Sequence, residues 1–236
     1  MSIIGLKKAN CKNCYRCVKV CPVKSIRVAD GQATIIDKSC ILCGTCLERC
    51  PQNAKTLISH RNAVEELLRS GAKVILSIAP SYYGCFHVED PKKFVGAVKA
   101  LGFTGVSETS EGAAYVTAEY HRLMQENKMK NIITTCCPSF NRLVELYHPG
   151  LVDQLAPVVS PMIAHARLLK QRFPDARVVF CGPCIAKIDE AEDVRHNNEV
   201  DAVLTFEDLM EMLHDAGVSM ETAEPASFLY GSSKNL

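Results

Sequence analysis

Two groups of cysteines in the second half of the chain have the residue types and spacing of a metal or redox site. Cys136 and Cys137 follow a β-like apolar run at 131–135, and a second group, which ends at Cys184, follows a similar run at 177–180. Because loops at the carboxyl ends of parallel strands converge at one edge of an open sheet, both groups are predicted to direct thiols at a common point. The alternative is that an adjacent cysteine pair serves as two small, buried hydrophobic residues.

Eight of the 13 cysteines lie between residues 11 and 50, in two runs of identical spacing, each followed directly by a proline. This internal duplication has the spacing of a two-cluster bacterial ferredoxin, in which the fourth cysteine of each run binds the other cluster. The predicted ligands of the first 4Fe-4S cluster are Cys11, Cys14, Cys17 and Cys50. Those of the second cluster are Cys40, Cys43, Cys46 and Cys21. Thiolate is the soft ligand that such iron requires, and this pattern fits tetrahedral zinc, the alternative metal, poorly.

The rest of the pattern divides the chain into two predicted domains. An α+β ferredoxin-like module is predicted over 1–58, with a hairpin and an Asp-Gly turn at 25–36. Beyond it, strand-like runs alternate with helical periodicity, which predicts an α/β domain over 59–236 with a mostly parallel sheet and helices on both faces. The strands predicted for this second domain are 73–79, 105–108, 131–135, 177–180 and 201–204.

Composition and motifs exclude several functional classes. The net charge of +1 gives no reason to propose nucleic acid or an anionic membrane surface as a partner. No stretch approaches the roughly 20 apolar residues that span a bilayer, and the first residues lack the apolar segment of a signal peptide. Closely spaced cysteines of this kind are typical of metal binding in a reducing compartment, so a cytoplasmic location is expected. No phosphate-binding loop is present, so no nucleotide is implied.

The two later cysteine groups resemble a known family. The first two of three motifs in the catalytic domain of iron-only (FeFe) hydrogenases are similar to TTCCP at 134–138 and GPCIAKIDE at 182–190. In that family the domain commonly follows a two-cluster ferredoxin module, as it does in this chain. Gly182 and Phe140 replace the usual methionine and tryptophan, and this departure is similar to the sensory branches of the family.

The resemblance implies roles for four side chains near the catalytic cofactor, the H-cluster. Cys137 and Cys184 would ligate its 4Fe-4S part, Cys136 would pass protons to its di-iron centre, and Lys187 would donate a hydrogen bond to a cyanide on that centre. From the sequence alone, Lys187 also fits a solvated lysine. Glu190 equally fits an exposed acidic start of a helix.

The third family motif, which brings two more cysteines, is absent, and no cysteine follows Cys184. The chain is therefore expected to be a C-terminally truncated member of the family, either a fragment or a natural truncation. As given, it is expected to hold the two ferredoxin clusters without hydrogen turnover. A third 4Fe-4S cluster with a di-iron centre would belong to the full-length protein.

The predicted function is electron transfer through the two clusters to or from a hydrogen-converting or hydrogen-sensing iron centre. The expected partner is a redox protein such as a ferredoxin, and a longer chain would add a signalling domain. One alternative is a non-enzymatic, ferredoxin-type electron carrier or redox sensor. A further alternative is an iron-sulfur cluster assembly factor, because such factors share the ancestry of this domain.

Overall fold

A computed structural model describes residues 3–196 and 198–229 of the chain. The strands in these ranges are β1 (Ile4–Leu6), β2 (Ile26–Ala29), β3 (Gln32–Ile35), β4 (Lys55–Leu57), β5 (Val74–Ile78), β6 (Gly105–Glu108), β7 (Arg177–Cys181) and β8 (Ala202–Leu204). The α-helices are α1 (Arg16–Val20), α2 (Thr45–Glu48), α3 (Arg61–Arg69), α4 (Tyr82–Cys85), α5 (Pro91–Ala100), α6 (Ser110–Glu126), α7 (Pro138–Tyr147), α8 (Pro161–Arg172), α9 (Ala186–Glu192) and α10 (Phe206–Asp215). None of these helices is long and apolar enough to cross a membrane.

The N-terminal part consists of two copies of one small unit. Strands β2 and β3 form the predicted hairpin, and Asp30 and Gly31 at its turn both have positive φ values, as a two-residue hairpin turn of this kind requires. Strand β1 pairs with β4 in antiparallel fashion, which joins the beginning and the end of the N-terminal part. The third cysteine of each run lies in a short helix, Cys17 in α1 and Cys46 in α2. The sequence duplication is thus also a structural duplication.

The larger part is built on a four-stranded sheet in the order β6-β5-β7-β8, with every neighbouring pair parallel. All five residues of β5 are buried, as expected for a strand covered on both faces. Leu76 and Ile78 pack with apolar residues of α3, α5 and α10 on one face. Ile75 and Val178 pack with α8 and α9 on the other. The predicted α/β architecture with helices on both faces is therefore confirmed.

The strand predicted at 131–135 is wrong. Within residues 3–196 and 198–229, this segment joins neither the central sheet nor any other named strand, and its only strand-like pairing is an isolated parallel bridge between Ile133 and Leu155. Its last residue is held by side chains instead. The backbone N–H of Thr135 donates to the Tyr120 hydroxyl at 2.9 Å, and the Thr135 carbonyl accepts from Asn141 at 3.0 Å. The backbone groups of Thr135 are satisfied without a neighbouring strand.

The crossing of α6 and α8 depends on Gly112. A Cβ atom at this position would lie 2.4 Å from the Pro161 carbonyl oxygen and 2.7 Å from the His165 Cβ. We expect Gly112→Ala to lower the free energy of unfolding by about 1 to 3 kcal/mol, because the two backbones must separate. Denaturant midpoints would measure the loss. Gly84→Ala in α4 is the matched control, since nothing lies within 4 Å of its added Cβ; an equal loss in both variants would contradict the prediction.

Candidate iron-sulfur sites

Two cavities in the N-terminal part are each lined by four cysteines. The first contains Cys11, Cys14, Cys17 and Cys50. The second contains Cys21, Cys40, Cys43 and Cys46. In each cavity three cysteines come from one run and the fourth comes from the other, so the structure brings together the same two sets that the spacing predicts as ligands.

The arrangement of the thiols fits a cluster better than a single ion. Across the described ranges, no three His, Cys, Asp or Glu side chains converge closely enough to hold one metal ion. A tetrahedral zinc site, with Zn–S bonds of about 2.3 Å, would bring its four sulfurs to roughly 4 Å from one another. Here the sulfurs surround a space instead, and an all-thiol donor set around such a space suits a 4Fe-4S cubane.

Backbone N–H groups point at equivalent sulfurs in the two repeats. Ser25 donates to the Cys21 sulfur at 3.2 Å, and Ala54 donates to the Cys50 sulfur at 3.3 Å. For Cys50, burial alone would raise the thiol pKa, but hydrogen bonds from backbone N–H groups outweigh it and lower the pKa. Burial raises the pKa of Cys46 to about 11. Iron binding must displace that proton, so assembly of this site is coupled to proton release.

A second group of cysteines lies where α7 and α9 begin. Cys137 is the residue that precedes α7, and Cys184 lies two residues before the start of α9. Burial raises the pKa of the Cys184 thiol; the Lys187 ammonium opposes this shift and the neighbouring Cys137 thiol adds to it. The Lys187 ammonium also donates to the Cys136 carbonyl oxygen at 3.2 Å. The fold thus brings Cys137, Cys184 and Lys187 together and places the backbone of Cys136 beside them.

The cysteines of this region differ in their exposure to solvent. Cys136 and Cys137 are exposed, so their interpretation as buried hydrophobic residues is wrong. Cys181 is 0% exposed and contacts the Thr205 carbonyl from within the core, so it is the packing residue of the group. Cys184 is half-buried between these extremes.

Lys187 is not a solvated lysine. The residue is only 8% exposed, and its ammonium lies 2.6 Å from the Glu190 carboxylate. The Ser160 hydroxyl donates to the same carboxylate oxygen at 3.0 Å. Glu190 is therefore not an exposed residue of an acidic helix start but one half of a buried ion pair. The pair fixes a positive charge beside the backbone of Cys136.

The sequence of the larger part matches the family described as iron only hydrogenase large subunit, C-terminal domain, over residues 72–235. The chain belongs to this family. Residues 3–51 match a 4Fe-4S dicluster domain. The chain is therefore an iron-sulfur protein of the iron-only hydrogenase family with two 4Fe-4S clusters in its N-terminal part.

Curated relatives include two hydrogenases and an assembly factor. Iron hydrogenase 1 of Clostridium pasteurianum is 27% identical over 260 residues, which cover 94% of this chain and 45% of the relative. The NADP-reducing hydrogenase subunit HndD of Solidesulfovibrio fructosivorans is 26% identical, with coverages of 86% and 42%. The cytosolic Fe-S cluster assembly factor NAR1 of Yarrowia lipolytica is 24% identical, with coverages of 76% and 43%. The chain spans less than half the length of each.

Solved structures show the same fold. The FeFe hydrogenase HydA1 of Chlamydomonas reinhardtii superimposes with a TM-score of 0.63 at 20% identity, over 73% of this chain and 51% of that one.

One departure from the family motifs has a packing explanation in this chain. A Cβ atom at Gly182 would lie 2.8 Å from the Phe180 ring and 3.1 Å from Ala79. The Phe180 ring thus occupies the space beside Gly182, and a methionine would fit only if the ring moved. The other departure, Phe140, is 41% exposed on α7.

The sequence motifs of the iron-only hydrogenase family did not reveal how the two parts of the chain are joined. Three side chains of α7 donate to backbone carbonyls next to Cys40: Ser139 to Leu42 at 3.2 Å, Arg142 to Cys40 at 3.1 Å and Tyr147 to Ser39 at 2.7 Å. Arg142 also pairs with Asp189 of α9 at 2.7 Å. These polar residues lie on one face of α7, at helical spacing, and that periodicity is the signal that could have identified them.

Proposed function

We propose that this chain transfers electrons through its two 4Fe-4S clusters to or from a hydrogen-converting or hydrogen-sensing iron centre at Cys137 and Cys184. Residues 1–58 would hold the two clusters and residues 59–236 would form the hydrogenase-like domain. A ferredoxin or similar redox protein would exchange electrons with the clusters, and a longer chain would add a signalling domain. Nucleic acid and membrane surfaces have no part in this function.

The contact between the Cys40 loop and α7 is the observation that carries the proposal. Helix α7 begins directly after Cys137, and its polar face holds the carbonyls of Ser39, Cys40 and Leu42. Arg142 extends this contact to α9, which begins just after Cys184. The cluster at Cys21, Cys40, Cys43 and Cys46 would therefore be the one next to the second cysteine group, and the other cluster would exchange electrons with the partner.

The side chains around the second cysteine group support proton handling. When bound, the iron centre would supply the redox chemistry that interconverts hydrogen with protons and electrons. The exposed Cys136 thiol would carry protons between this centre and solvent, because a thiol ordinarily ionises nearer to neutral pH than a hydroxyl. Lys187, fixed by Glu190, would hold a positive charge beside the anionic ligands of the centre.

Selective loss of clusters tests the proposed ligation. Anaerobically reconstituted protein should contain about eight irons, and its paramagnetic resonance spectrum after reduction should show two interacting clusters. Cys14→Ser should remove the first cluster and Cys43→Ser the second, with about four irons left in each case. Cys85→Ser is the matched control, since this exposed cysteine lines neither cavity. If either ligand variant kept both clusters, the proposed ligand sets would be wrong.

The assembly factor among the relatives favours a second candidate function, in which the same domain holds clusters during their assembly. A ferredoxin-type electron carrier or redox sensor is the third. Infrared spectra of the complete protein that carries this sequence would separate them. Bands from iron-bound carbon monoxide or cyanide, together with hydrogen-dependent dye reduction, are expected for the first function. Intact clusters without those bands would favour the carrier, sensor or assembly function.

A further inference from the structure

A buried lysine lies among the cysteines of the N-terminal part. Lys55, in β4, is only 8% exposed and lines the cavity that contains Cys11. Its ammonium donates to the buried carbonyl of Ala33 at 2.7 Å, and no carboxylate of the described residues forms an ion pair with it. Burial of an ammonium group is strongly disfavoured unless a negative charge compensates it. The structure therefore leaves a buried positive charge that needs a partner.

The cluster ligands would supply negative charge in the cavity that Lys55 lines, since the same cavity contains Cys17 and Cys50. Burial raises the pKa of the Cys17 thiol, and the Lys55 ammonium is the largest effect that opposes this rise. The same ammonium also opposes the rise in the pKa of Cys46 in the second cavity, which burial and the neighbouring Cys40 thiol cause. Lys55 thus lies within electrostatic reach of both cavities, and it lines the one that contains Cys17.

The duplicated unit shows that the fold does not require a charge at this position. Lys55 is the fifth residue after the last cysteine of its run, Cys50, and the corresponding residue after Cys21 is Ile26. Ile26 is 7% exposed, so both repeats bury this side chain to the same extent. An apolar side chain occupies this buried position in one repeat, and a side chain with an ammonium group occupies it in the other. Packing alone therefore does not account for the lysine.

We propose that Lys55 is the buried counter-ion of the cluster at Cys11, Cys14, Cys17 and Cys50 and raises the reduction potential of that cluster. This inference rests on the proposed cluster ligation. One-electron reduction adds a negative charge to the cluster, and a fixed positive charge nearby stabilises the reduced form. Because the ammonium is buried, solvent and salt screen this attraction only weakly.

A redox titration of the cluster-loaded chain, followed by paramagnetic resonance with dithionite as the electron donor, tests this role. Lys55→Met should make reduction of the first cluster about tenfold less favourable, a fall of about 59 mV for one electron. The second cluster should shift less. In Lys55→Arg, which keeps the charge, the reduction potential of the first cluster should stay close to that of the wild type. Lys12→Met removes an exposed lysine beside Cys11. It should change the reduction equilibrium of the first cluster less than about twofold, because solvent screens that charge.

The outcomes separate this inference from the proposed function. If the first cluster has the same reduction potential in Lys55→Met as in Lys12→Met, and the wild type holds both clusters, Lys55 is not a counter-ion and the proposed ligation stands. If Lys55→Met and Lys55→Gln both lose the first cluster while Lys55→Arg keeps it, the charge pairing is supported. Loss from all three variants would overturn it, since the side chain would then act through packing. A wild-type chain without two clusters would overturn the proposed ligation as well.

Discussion

Cys136→Ser should lower hydrogen turnover by about 10²- to 10⁴-fold in the complete protein that carries this sequence, while its iron content stays unchanged. The exposed Cys136 lies beside the proposed ligand Cys137, and its own carbonyl oxygen accepts from Lys187. Serine preserves the size of the side chain but replaces the thiol by a far weaker acid, so the proton step loses its donor. Turnover with a dye acceptor and iron analysis of the same sample would measure both effects.

Cys85→Ser is the control for this experiment, because Cys85, at the end of α4, is also exposed but is not among the residues proposed to hold the iron centre or to move protons at it. It should retain full turnover. A loss of iron in Cys136→Ser would instead identify Cys136 as a ligand and would exchange its role with that of Cys137.

Lys187→Met should lower the free energy of unfolding by about 3 to 5 kcal/mol, because it leaves the Glu190 carboxylate buried without its cation. Both side chains of this ion pair are only 10% exposed, so solvent cannot replace the missing partner. The Ser160 hydroxyl remains as a donor to the carboxylate, but it carries no charge. Denaturant midpoints of the cluster-loaded chain under anaerobic conditions, followed by far-ultraviolet circular dichroism, would measure the loss.

Two further variants identify the cause of this destabilisation. The double variant Lys187→Met with Glu190→Leu removes both charges and should recover most of the stability, as apolar replacements of buried ion pairs often do. Lys128→Met breaks an exposed pair with Glu126 and should cost less than about 1 kcal/mol. If Lys187→Met were as mild as Lys128→Met, the buried pair would not stabilise the domain.

The cysteine grouping of the N-terminal part could be predicted from the sequence because it depends on local spacing. Two intervening residues keep three thiols of a run on one loop and its short helix, and the duplication returns the fourth cysteine to the opposite cavity. The hairpin at Asp30 and Gly31 was predictable for the same reason, since both residues tolerate positive φ. Continuous apolar runs likewise predicted the buried parallel strands, because only such runs satisfy a sheet that is covered on both faces.

Long-range contacts decided the features that the sequence left open or predicted wrongly. The apolar run at 131–135 is strand-like, but side chains of the two flanking helices, Tyr120 of α6 and Asn141 of α7, satisfy the backbone of Thr135 in place of a neighbouring strand. Lys187 and Glu190 are charged residues of the types found on a solvated helix face, yet the packing around Ser160 buries them as a pair. No local pattern encodes such burial, because it depends on which other elements cover the residue.

The sequence by itself determined the cofactor class, the crossed sets of candidate ligands and the positions of the four strands of the parallel sheet, since spacing and periodicity act over a few residues. Only the tertiary structure decided how the sites relate to one another. It placed the Cys40 loop against α7 through Arg142 and Tyr147, brought Cys184 beside Cys137, and buried Lys55 where the first repeat has Ile26. Each of these depends on residues far apart in the chain that tertiary packing brings together.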